Sequence, residues 1–395
     1  MTFTLLFDLD DTLIDTNLDA FVPAYFQSLS EHLNARVAPT TMLRALLLGM
    51  NMMNESEDPT RTLQDIFESS FYKELGIPKH ELIEVFEDFY DTVFPTLEAH
   101  TKQRKEAASL IEWALSCGYR VAIATDPFFP RKATVHRLRW AGLDPDQLEL
   151  ISTFEHFHFS KSHSAYYAEV LGCLGWPEGP VLMVGDNITR DLEPAHRLGL
   201  ATYWIDGDSA SSPGFEAGRG KLEDLRPWLE SVNLSMLEPS FKSKDAILAI
   251  LTSTPAVLQS LTASFSNEQW RKEPTQEDWA MNEIVCHLRD TDLEIHQLQL
   301  QLLLEREGAF IPRPETGIWA NEREYLNVNG HMALSEFASA RVKMLKILKE
   351  QPDEIWSRKA RHAIFGPTNF LEVVSFVTDH DRLHIQQAWK TLRSI

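Results

Sequence analysis

The first apolar run of the chain leads directly into a group of carboxylates. Residues 5–12 read LLFDLDDT, so a short hydrophobic segment is followed by Asp8, Asp10 and Thr12. Open α/β sheets bind their ligands at the carboxyl ends of parallel strands, where such a segment presents its polar side chains. The pattern therefore predicts a functional site at the end of the first strand. The alternative is an acidic strand-to-turn junction without a function, since Asp is common in turns.

Further strand-like runs also end in polar residues that could act together with this group. These residues are, in chain order, Thr125, Asp126, Lys161, Asp186 and Asp191. Taken singly they are an ordinary strand-end hydroxyl, a solvated lysine and turn residues. Their common position after strands, and their order, argue against an accidental set. The sequence predicts that they converge on one site.

Candidate strands alternate with helix-like stretches over the first part of the chain. The strands are predicted at residues 3–7, 120–124, 149–152, 181–184 and 201–205. Alternation of this kind is typical of an α/β fold with a doubly wound parallel sheet covered on both faces. The interval between the first two strands is far longer than one crossover helix requires, and its apolar residues recur at helical spacing. We therefore predict a helical cap inserted at about residues 14–98.

The second part of the chain carries a purely helical pattern. Its apolar residues recur at helical spacing in segments at about residues 247–261, 284–302, 334–348 and 370–377. Amphipathic segments with no strand signal between them predict an all-α four-helix bundle. We expect a first domain at residues 1–232, a linker at 233–243 and the bundle at 244–395.

Charge and cysteine content limit the partners that the chain can have. Its 395 residues carry a formal net charge of −21. Nucleic acids and anionic membranes attract basic surfaces, so we expect neither as a partner. The cysteines, Cys117, Cys173 and Cys286, show no paired spacing, which favours a reducing compartment. With no membrane-spanning stretch and no basic segment leading into an apolar run at the amino end, we predict a soluble, cytoplasmic protein.

The motif order Asp-x-Asp-x-Thr, Thr, Lys and Gly-Asp-x-x-x-x-Asp resembles the haloacid dehalogenase superfamily of hydrolases, over roughly residues 1–230. The resemblance implies that Asp8 is the nucleophile and forms an aspartyl phosphate. It implies that Asp10 is the acid/base. Thr12, Thr125, Asp126 and Lys161 would lie at the substrate, where Thr125 and Lys161 hold the phosphoryl oxygens.

A divalent cation fits this set, because neighbouring carboxylates repel one another without one. Mg²⁺ prefers oxygen ligands, so the side chains of Asp8 and Asp186, the backbone carbonyl of Asp10, and Asp191 in an orienting role form its predicted site. The second acid, Asp10, favours a phosphatase, since true dehalogenases of the superfamily lack it. Caps of this kind enclose small substrates, so the expected partner is a small phosphoester.

The sequence departs from the superfamily pattern at two places. Ser162 and His163 follow Lys161 where many relatives have proline, so the phosphate loop is expected to differ in shape. Asp126 stands where Asn is commoner, and it adds a negative charge beside a phosphate pocket.

Histidines near the carboxyl end form a second candidate site. His380 and His384 are four residues apart, so on a helix both imidazoles face the same way, which suits two ligands of one ion. His287 is in line with Asp290, Thr291 and Glu294, a polar stripe that is costly in a bundle core unless it serves a purpose. A solvated face of histidines and acids is the alternative reading of the pair.

In the second part of the chain, about residues 240–395, the informative features are Trp279, the stretch 282–290, the loop near Pro312 and Pro314, and Gly366. In these features this part of the chain resembles the DinB-like four-helix family. That family includes thiol-dependent transferases. The resemblance implies that His287, His380 and His384 bind Zn²⁺ or Ni²⁺, with Glu294 as an outside candidate ligand. The bundle would then be metal-binding, a thiol-dependent transferase or isomerase, or a non-enzymatic module for sensing or for assembly into a homodimer.

Overall fold

The structure is a computed structural model, and it describes residues 3–207, 211–275 and 278–394. The chain divides into two compact units. The first comprises residues 1–167 and 178–239, and the second comprises residues 168–177 and 240–395. The ends of the linker between the two domains, at residues 232 and 244, remain predictions. Among the described residues, no helix combines the length and apolar character needed to cross a bilayer.

A parallel sheet forms the centre of the first unit. The strands of this unit are β1 (Thr4–Phe7), β2 (Ile14–Thr16), β3 (Thr101–Gln103), β4 (Arg120–Ile123), β5 (Leu150–Ile151), β6 (Val181–Gly185), β7 (Ala201–Ile205) and β8 (Gly218–Gly220). Six of them form one sheet in the order β5-β4-β1-β6-β7-β8, and each neighbouring pair is parallel. The predicted fold class is confirmed. The edge strand β8 was not predicted.

Strand β1 lies at the middle of the sheet, where all four of its side chains are buried, as a parallel strand covered on both faces requires. Its neighbours are in register: Leu6 pairs with Ala122 on one side and with Met183 on the other. The bonding continues past the strand, where the amide of Asp8 donates to the carbonyl of Val184 at 2.9 Å. The carboxyl ends of β1, β4 and β6 therefore meet at one edge.

Helices cover this sheet and fill the long interval after β1. They are α1 (Leu18–His32), α2 (Pro39–Glu55), α3 (Leu63–Leu75), α4 (Ile83–Asp88), α5 (Lys105–Ser116), α6 (Arg131–Trp140), α7 (Ser164–Cys173), α8 (Glu193–Leu198) and α9 (Leu222–Ser231). Of these, α7 belongs to the first unit only up to residue 167. Local sequence sets their ends. Helix α3, for example, begins with a capping box between Thr62 and Asp65 and ends at Gly76, whose φ of 68° is a left-handed conformation.

Helices α1 to α4 lie within the segment 14–98 that the sequence predicted as a cap, and we call this segment the helical insert. The short antiparallel pair β2 and β3 ties the two ends of this segment together, with Asp15 opposite Lys102. Aromatic side chains connect the insert to the layer of α6, where Phe94 stacks on Trp140 at a centroid distance of 5.5 Å. The insert also contacts the loop that follows β5, where the amides of Leu63 and Gln64 donate to the carbonyls of Phe157 and Phe154 at 2.8 and 2.9 Å.

The second unit is mainly helical. Its elements are α10 (Lys244–Thr262), α11 (Met281–Thr291), α12 (Gln297–Glu305), β9 (Ala309–Ile311), α13 (Trp319–Glu322), α14 (Gly330–Lys349), α15 (Asp353–Trp356), β10 (Lys359–His362), β11 (Gly366–Asn369) and α16 (Phe370–Ser394). The long helices α10, α11, α14 and α16 pack against one another, as the amphipathic segments predicted. The sequence predicted a purely helical unit and therefore missed the three-stranded sheet β11-β10-β9.

A buried ionic cluster joins the helices of this bundle. Arg341 of α14 donates to Asp292 and to Asp381, and all three side chains are fully buried. Asp292 begins the π-helical turn Asp292–His296 between α11 and α12. Because a charge is costly in a core, these residues stabilise the bundle only as a complete set.

Candidate functional site

Lys161 connects two of the predicted acids in the first unit. Its Nζ lies 2.5 Å from Oδ1 of Asp8 and also contacts Oδ1 of Asp191. All three side chains are at least nine-tenths buried, the exposed fractions being 3%, 8% and 1%. Burial alone would lower the pKa of Lys161, but Asp191 and Asp8 raise it well above its usual value. The lysine is therefore a fixed positive charge.

Asp186 completes a group of three carboxylates. One oxygen from each of Asp8, Asp186 and Asp191 lies within 4.8 Å of the others. Burial, and then the charge of Asp8, raise the pKa of Asp186 to about 6 and that of Asp191 to about 8. The single cation of Lys161 thus leaves excess negative charge among converging oxygen atoms, a donor set that suits Mg²⁺.

The loop after β6 places these acids. The side chain of Asn187 caps the turn Ile188–Leu192 by accepting from the amides of Thr189 and Arg190. The amide of Asn187 in turn donates to Oδ2 of Asp191 at 3.0 Å. Only glycine fits at position 185, because a Cβ there would collide with the Asp191 side chain.

Asp10 faces different partners from the other acids. Its Oδ1 accepts from the hydroxyl of Thr16 at 2.7 Å, and its Oδ2 is contacted by the guanidinium of Arg137. Arg137 comes from α6 and is 3% exposed, and burial lowers its pKa to about 10. The guanidinium carbon of Arg137 lies 5.1 Å from the centre of the Phe129 ring. The side chain of Asp10 is therefore held apart from the three-carboxylate group.

Thr12 and Thr125 are both buried beside the nucleophile candidate. The hydroxyl of Thr12 donates to Oδ2 of Asp8 at 3.4 Å. The carbonyl of Thr125 accepts from Ser152 at 2.7 Å and from the Tyr166 hydroxyl at 2.8 Å, which fixes the end of β4. Thr12 and Thr125 thus lie at the same strand edge as Asp8.

Asp126 is compensated by a cation that the sequence analysis did not assign. Its Oδ1 accepts from the amide of Lys161 at 3.2 Å, and its Oδ2 accepts from Nε of Arg190 at 2.5 Å. Arg190 also donates to the side chain of Asn54, at the end of α2, at 3.2 Å. The carbonyl of Asn54 is 3.0 Å from Nε2 of His163. Asn54 of the helical insert therefore contacts His163 directly and Asp126 through Arg190, so it is linked to both departures from the superfamily pattern.

Arg137 and Arg190 are the site residues that sequence reasoning missed. Arg190 lies inside the last motif, between Asp186 and Asp191, so its position was a usable signal. Arg137 shares α6 with other basic residues and offered no such signal. Its burial in the structure alone distinguishes it.

The three predicted histidines of the second unit converge. One ring nitrogen from each of His287, His380 and His384 lies within 4.8 Å of the others, and Nε2 of His287 is 3.0 Å from Nε2 of His380. Trp279 stacks on His384 with an interplanar angle of 4°. The indole therefore fixes the plane of one imidazole beside the other two.

These imidazoles are held in their neutral form. Burial, and then His384, lower the pKa of His287 to about 3, and the same causes hold the pKa of His380 well below its usual range. Burial also lowers the pKa of His384. Nδ1 of His287 and of His380 are buried without a hydrogen-bond partner among the described residues. Neutral rings with spare ring nitrogens fit a transition metal.

Asp290 and Glu294, the acidic residues of the predicted stripe, are hydrogen-bonded to arginines. Both carboxylate oxygens of Glu294 accept from Arg323, at 2.6 and 2.9 Å. Asp290 accepts from Arg289, Arg323 and Tyr325. The structure brings together the three histidines and leaves Glu294 on a half-exposed ion pair. A largely apolar cavity of about 590 Å³ opens beside them, and its lining includes His296, His380 and Arg313.

Two family models match separate parts of the chain. Residues 4–199 match the family of haloacid dehalogenase-like hydrolases, and residues 250–388 match the DinB superfamily. The protein is therefore a hydrolase that carries a DinB-type helical region in the same chain.

Individual relatives are distant. Pyrophosphatase PpaX of Bacillus cereus (strain AH820) is 24% identical over 237 residues, which are 59% of this chain and 98% of that protein. The magnesium-bound structure of the putative HAD-hydrolase YfnB from Bacillus subtilis is 23% identical, with 58% of this chain and 99% of that one covered and a TM-score of 0.39. YfiT from Bacillus subtilis, described as a probable metal-dependent hydrolase, is 17% identical, with 39% and 88% covered and a TM-score of 0.36.

Proposed function

We propose that the first unit is a Mg²⁺-dependent phosphomonoesterase that acts on a small phosphorylated metabolite. The observation that carries the proposal is the position of Lys161 Nζ against both Asp8 and Asp191, with Asp186 in the same group. This arrangement offers one carboxylate as a nucleophile and a fixed cation for phosphoryl oxygens. Positioning and electrostatic stabilisation are the main sources of catalysis in phosphoryl transfer.

The proposed reaction has two displacements at phosphorus. A carboxylate oxygen of Asp8 forms a bond to phosphorus while the bond from phosphorus to the leaving oxygen breaks, and Asp10 supplies the proton that this oxygen takes up. Water then attacks the aspartyl phosphate and gives a proton to Asp10. Inorganic phosphate leaves, and Asp8 is free again. Lys161 and Thr125 hold the phosphoryl oxygens throughout.

Asp8, Asp186 and Asp191 would hold Mg²⁺, with the backbone carbonyl of Asp10 as a further ligand. The metal, when bound, supplies positive charge that neutralises the converging acids and the phosphoryl oxygens. The raised pKa values of Asp186 and Asp191 support this assignment, because they report negative charge that Lys161 does not balance. Since Asp191 contacts Lys161, it also orients that lysine.

Phosphate release from a panel of phosphoesters tests the proposal. We expect activity that EDTA abolishes and that added Mg²⁺ restores. Asp8→Asn removes the nucleophile and should reduce kcat by at least about a thousandfold. Asp19→Asn, an exposed carboxylate on α1, is the matched control and should retain full activity. Unchanged turnover in Asp8→Asn would refute the proposal.

For the second unit we propose a transition-metal site formed by His287, His380 and His384, with Zn²⁺ or Ni²⁺ as the candidates. The convergence of neutral imidazoles supports it. The cavity beside His380 supports an enzymatic use of the metal over a purely structural one. A thiol-dependent transferase or isomerase is the activity class to be tested first. A sensing or dimerising role for the bundle is the competing proposal.

Metal analysis of the full-length protein separates these proposals. We expect about one transition-metal ion per chain, and its loss in His380→Asn. His80→Asn, an exposed histidine of the helical insert, is the control and should leave the metal content unchanged. If the metal content is the same in His380→Asn, the cluster is structural. Light scattering of the same samples shows whether the chain forms a dimer.

A further inference from the structure

A cavity of about 410 Å³ lies under the helical insert, apart from the carboxylate group. Its floor comes from the loops that follow β4 and β5, at Pro130 and at Phe154 with Glu155. Its volume falls in the range of small-molecule sites. None of the predicted catalytic or metal-binding residues lines it, so the proposed phosphatase reaction does not explain it.

Aromatic rings are the commonest side chains that line this cavity. They include Tyr25, Phe67, Phe71, Phe86, Tyr90 and Phe154. Phe67 stacks on Phe71 at a centroid distance of 4.7 Å, and the hydroxyls of Tyr25 and Tyr90 are 3.0 Å apart. The faces of such rings carry negative electrostatic potential, which attracts cations.

The charged residues around the cavity do not balance. Lys79 pairs with Glu68 at 2.7 Å, and Lys132 pairs with Glu87 at 2.5 Å, so each lysine is already matched. Glu155 lines the same cavity and forms no ion pair within the described part of the chain. One carboxylate therefore remains in excess.

Glu155 is also incompletely hydrogen-bonded. Its Oε1 accepts from the amide of Arg131 at 2.8 Å. Its Oε2 is buried without a hydrogen-bond partner among the residues that the structure describes. A buried carboxylate oxygen normally has a partner, because an unsatisfied one costs free energy. The charge of Glu155 is close enough to Tyr90 to add to the burial that raises the pKa of that tyrosine well above its usual value.

We propose that this cavity binds a small organic ammonium ion, with Oε2 of Glu155 as its counter-ion and the aromatic rings as its walls. The excess of one carboxylate matches a single positive charge. Two sources supply such an ion: the non-phosphate end of an amino-phosphoester substrate, or a free amine that regulates the enzyme. Both present the same chemistry to the cavity.

Binding is measured by calorimetry on the full-length protein with choline and with 2-phenylethylammonium. Their neutral counterparts, 3,3-dimethylbutan-1-ol and 2-phenylethanol, have similar shapes and no charge. We expect at least one cation to bind at least about tenfold more tightly than its neutral counterpart. Glu155→Gln should remove this preference. Glu84→Gln, an exposed carboxylate of the insert outside the cavity, should retain it.

The aromatic wall is tested separately, with Phe71→Leu, which keeps an apolar side chain but removes a ring. We expect it to weaken the cation by severalfold and the neutral counterpart much less. Equal binding of cation and counterpart in the wild type, or an unchanged preference in Glu155→Gln, would overturn the proposal. Circular dichroism of each variant shows that it has folded.

Kinetics then distinguish the two sources. If the ammonium belongs to the substrate, Glu155→Gln lowers kcat/KM for phosphocholine but not for p-nitrophenyl phosphate. If it is a separate ligand, free choline changes p-nitrophenyl phosphate turnover in the wild type and not in Glu155→Gln. The binding measurement does not depend on turnover, so a failed phosphatase assay and a failed ammonium site are separate results.

Discussion

The guanidinium of Arg137 contacts Oδ2 of Asp10, the residue that we assign as the acid/base, while Thr16 binds its other oxygen. Both oxygens of this carboxylate are thus fixed by the protein before any substrate binds. The contact that Arg137 makes at this site is with Asp10 itself. We interpret it as a positioning residue that acts through Asp10.

Replacement of Arg137 should therefore impair the chemical step. We expect Arg137→Met to lower kcat for a phosphoester by about tenfold or more with little change in KM, since a well-placed acid/base contributes at least about a hundredfold. Arg137→Lys, which keeps the charge, should restore part of the rate and shift the pH profile of kcat. Arg139→Met, an exposed arginine on the same helix, is the control. An unaltered kcat and pH profile in Arg137→Met would remove Arg137 from the mechanism.

This arginine also shows where sequence reasoning stopped. The motif acids could be located because each follows a buried strand, and parallel strands end at a common edge. Asp8 and Asp186 therefore had to be neighbours once the strands were recognised. Helix α6 has no comparable constraint, because packing against Phe129 and Asp10 alone decides which of its basic residues turns inward.

The same limit applies in the second unit. The long helices were predictable from their apolar periodicity. The strands β9, β10 and β11 were not, because three or four residues are too few for alternation to be recognised. Strand β11 also contains Gly366 and Pro367, which usually indicate a turn. The sequence predicted all three histidines of the cluster: the spacing of His380 and His384 placed them on one helix face, and the resemblance to the DinB-like family added His287.

The pairing of Asp126 with Arg190 leads to a second prediction. Arg190→Met should leave Asp126 as an uncompensated charge beside the proposed phosphate position. We expect KM for a phosphoester, and the inhibition constant of inorganic phosphate, to rise by about tenfold. Asp126→Asn in the same chain should reverse most of that rise, because it removes the repulsive charge.

A double-mutant cycle over the two single variants and the double variant measures this coupling. Arg197→Met, an exposed arginine of α8, controls for the loss of a surface cation. If Arg190→Met raises KM by the same factor in the wild-type background and in the Asp126→Asn background, the arginine acts on the substrate directly and the compensation argument is wrong.

The crowded carboxylates predict how stability depends on pH in the absence of metal. The pKa values of Asp186, about 6, and Asp191, about 8, exceed the usual carboxyl value of 3.8. Between 3.8 and these raised values the unfolded chain releases protons that the folded chain keeps, which lowers the free energy of unfolding as the pH rises. Below about pH 6.5 the buried histidines, whose pKa values are lowered, act in the opposite sense. The free energy of unfolding should therefore fall as the pH rises from about 6.5 to about 8, mainly through Asp191. Lys161 adds no slope in this window, because its raised pKa lies above it.

Calorimetric unfolding across this range, in EDTA and in Mg²⁺, tests the prediction. We expect the melting temperature to decrease with pH in EDTA, and Mg²⁺ to flatten the decrease. Asp191→Asn should reduce the slope in EDTA, whereas Asp146→Asn, an exposed carboxylate, should not. A melting temperature that rises with pH in EDTA would contradict the assigned pKa directions.

The last prediction concerns Arg341, which satisfies Asp292 and Asp381 at the centre of the bundle. Arg341→Met would leave two buried carboxylates without a cation, a change that costs about 3–5 kcal/mol in comparable sites. Hydrogen exchange read by mass spectrometry can assign the loss to the bundle helices, where we expect α10, α14 and α16 to lose protection together. Lys343→Met, an exposed cation on α14, should leave protection unchanged. Because Asp381 adjoins His380, Arg341→Met should also lower the metal content of the full-length protein. If the variant keeps both its hydrogen-exchange protection and its metal, the ionic cluster does not maintain the histidine site.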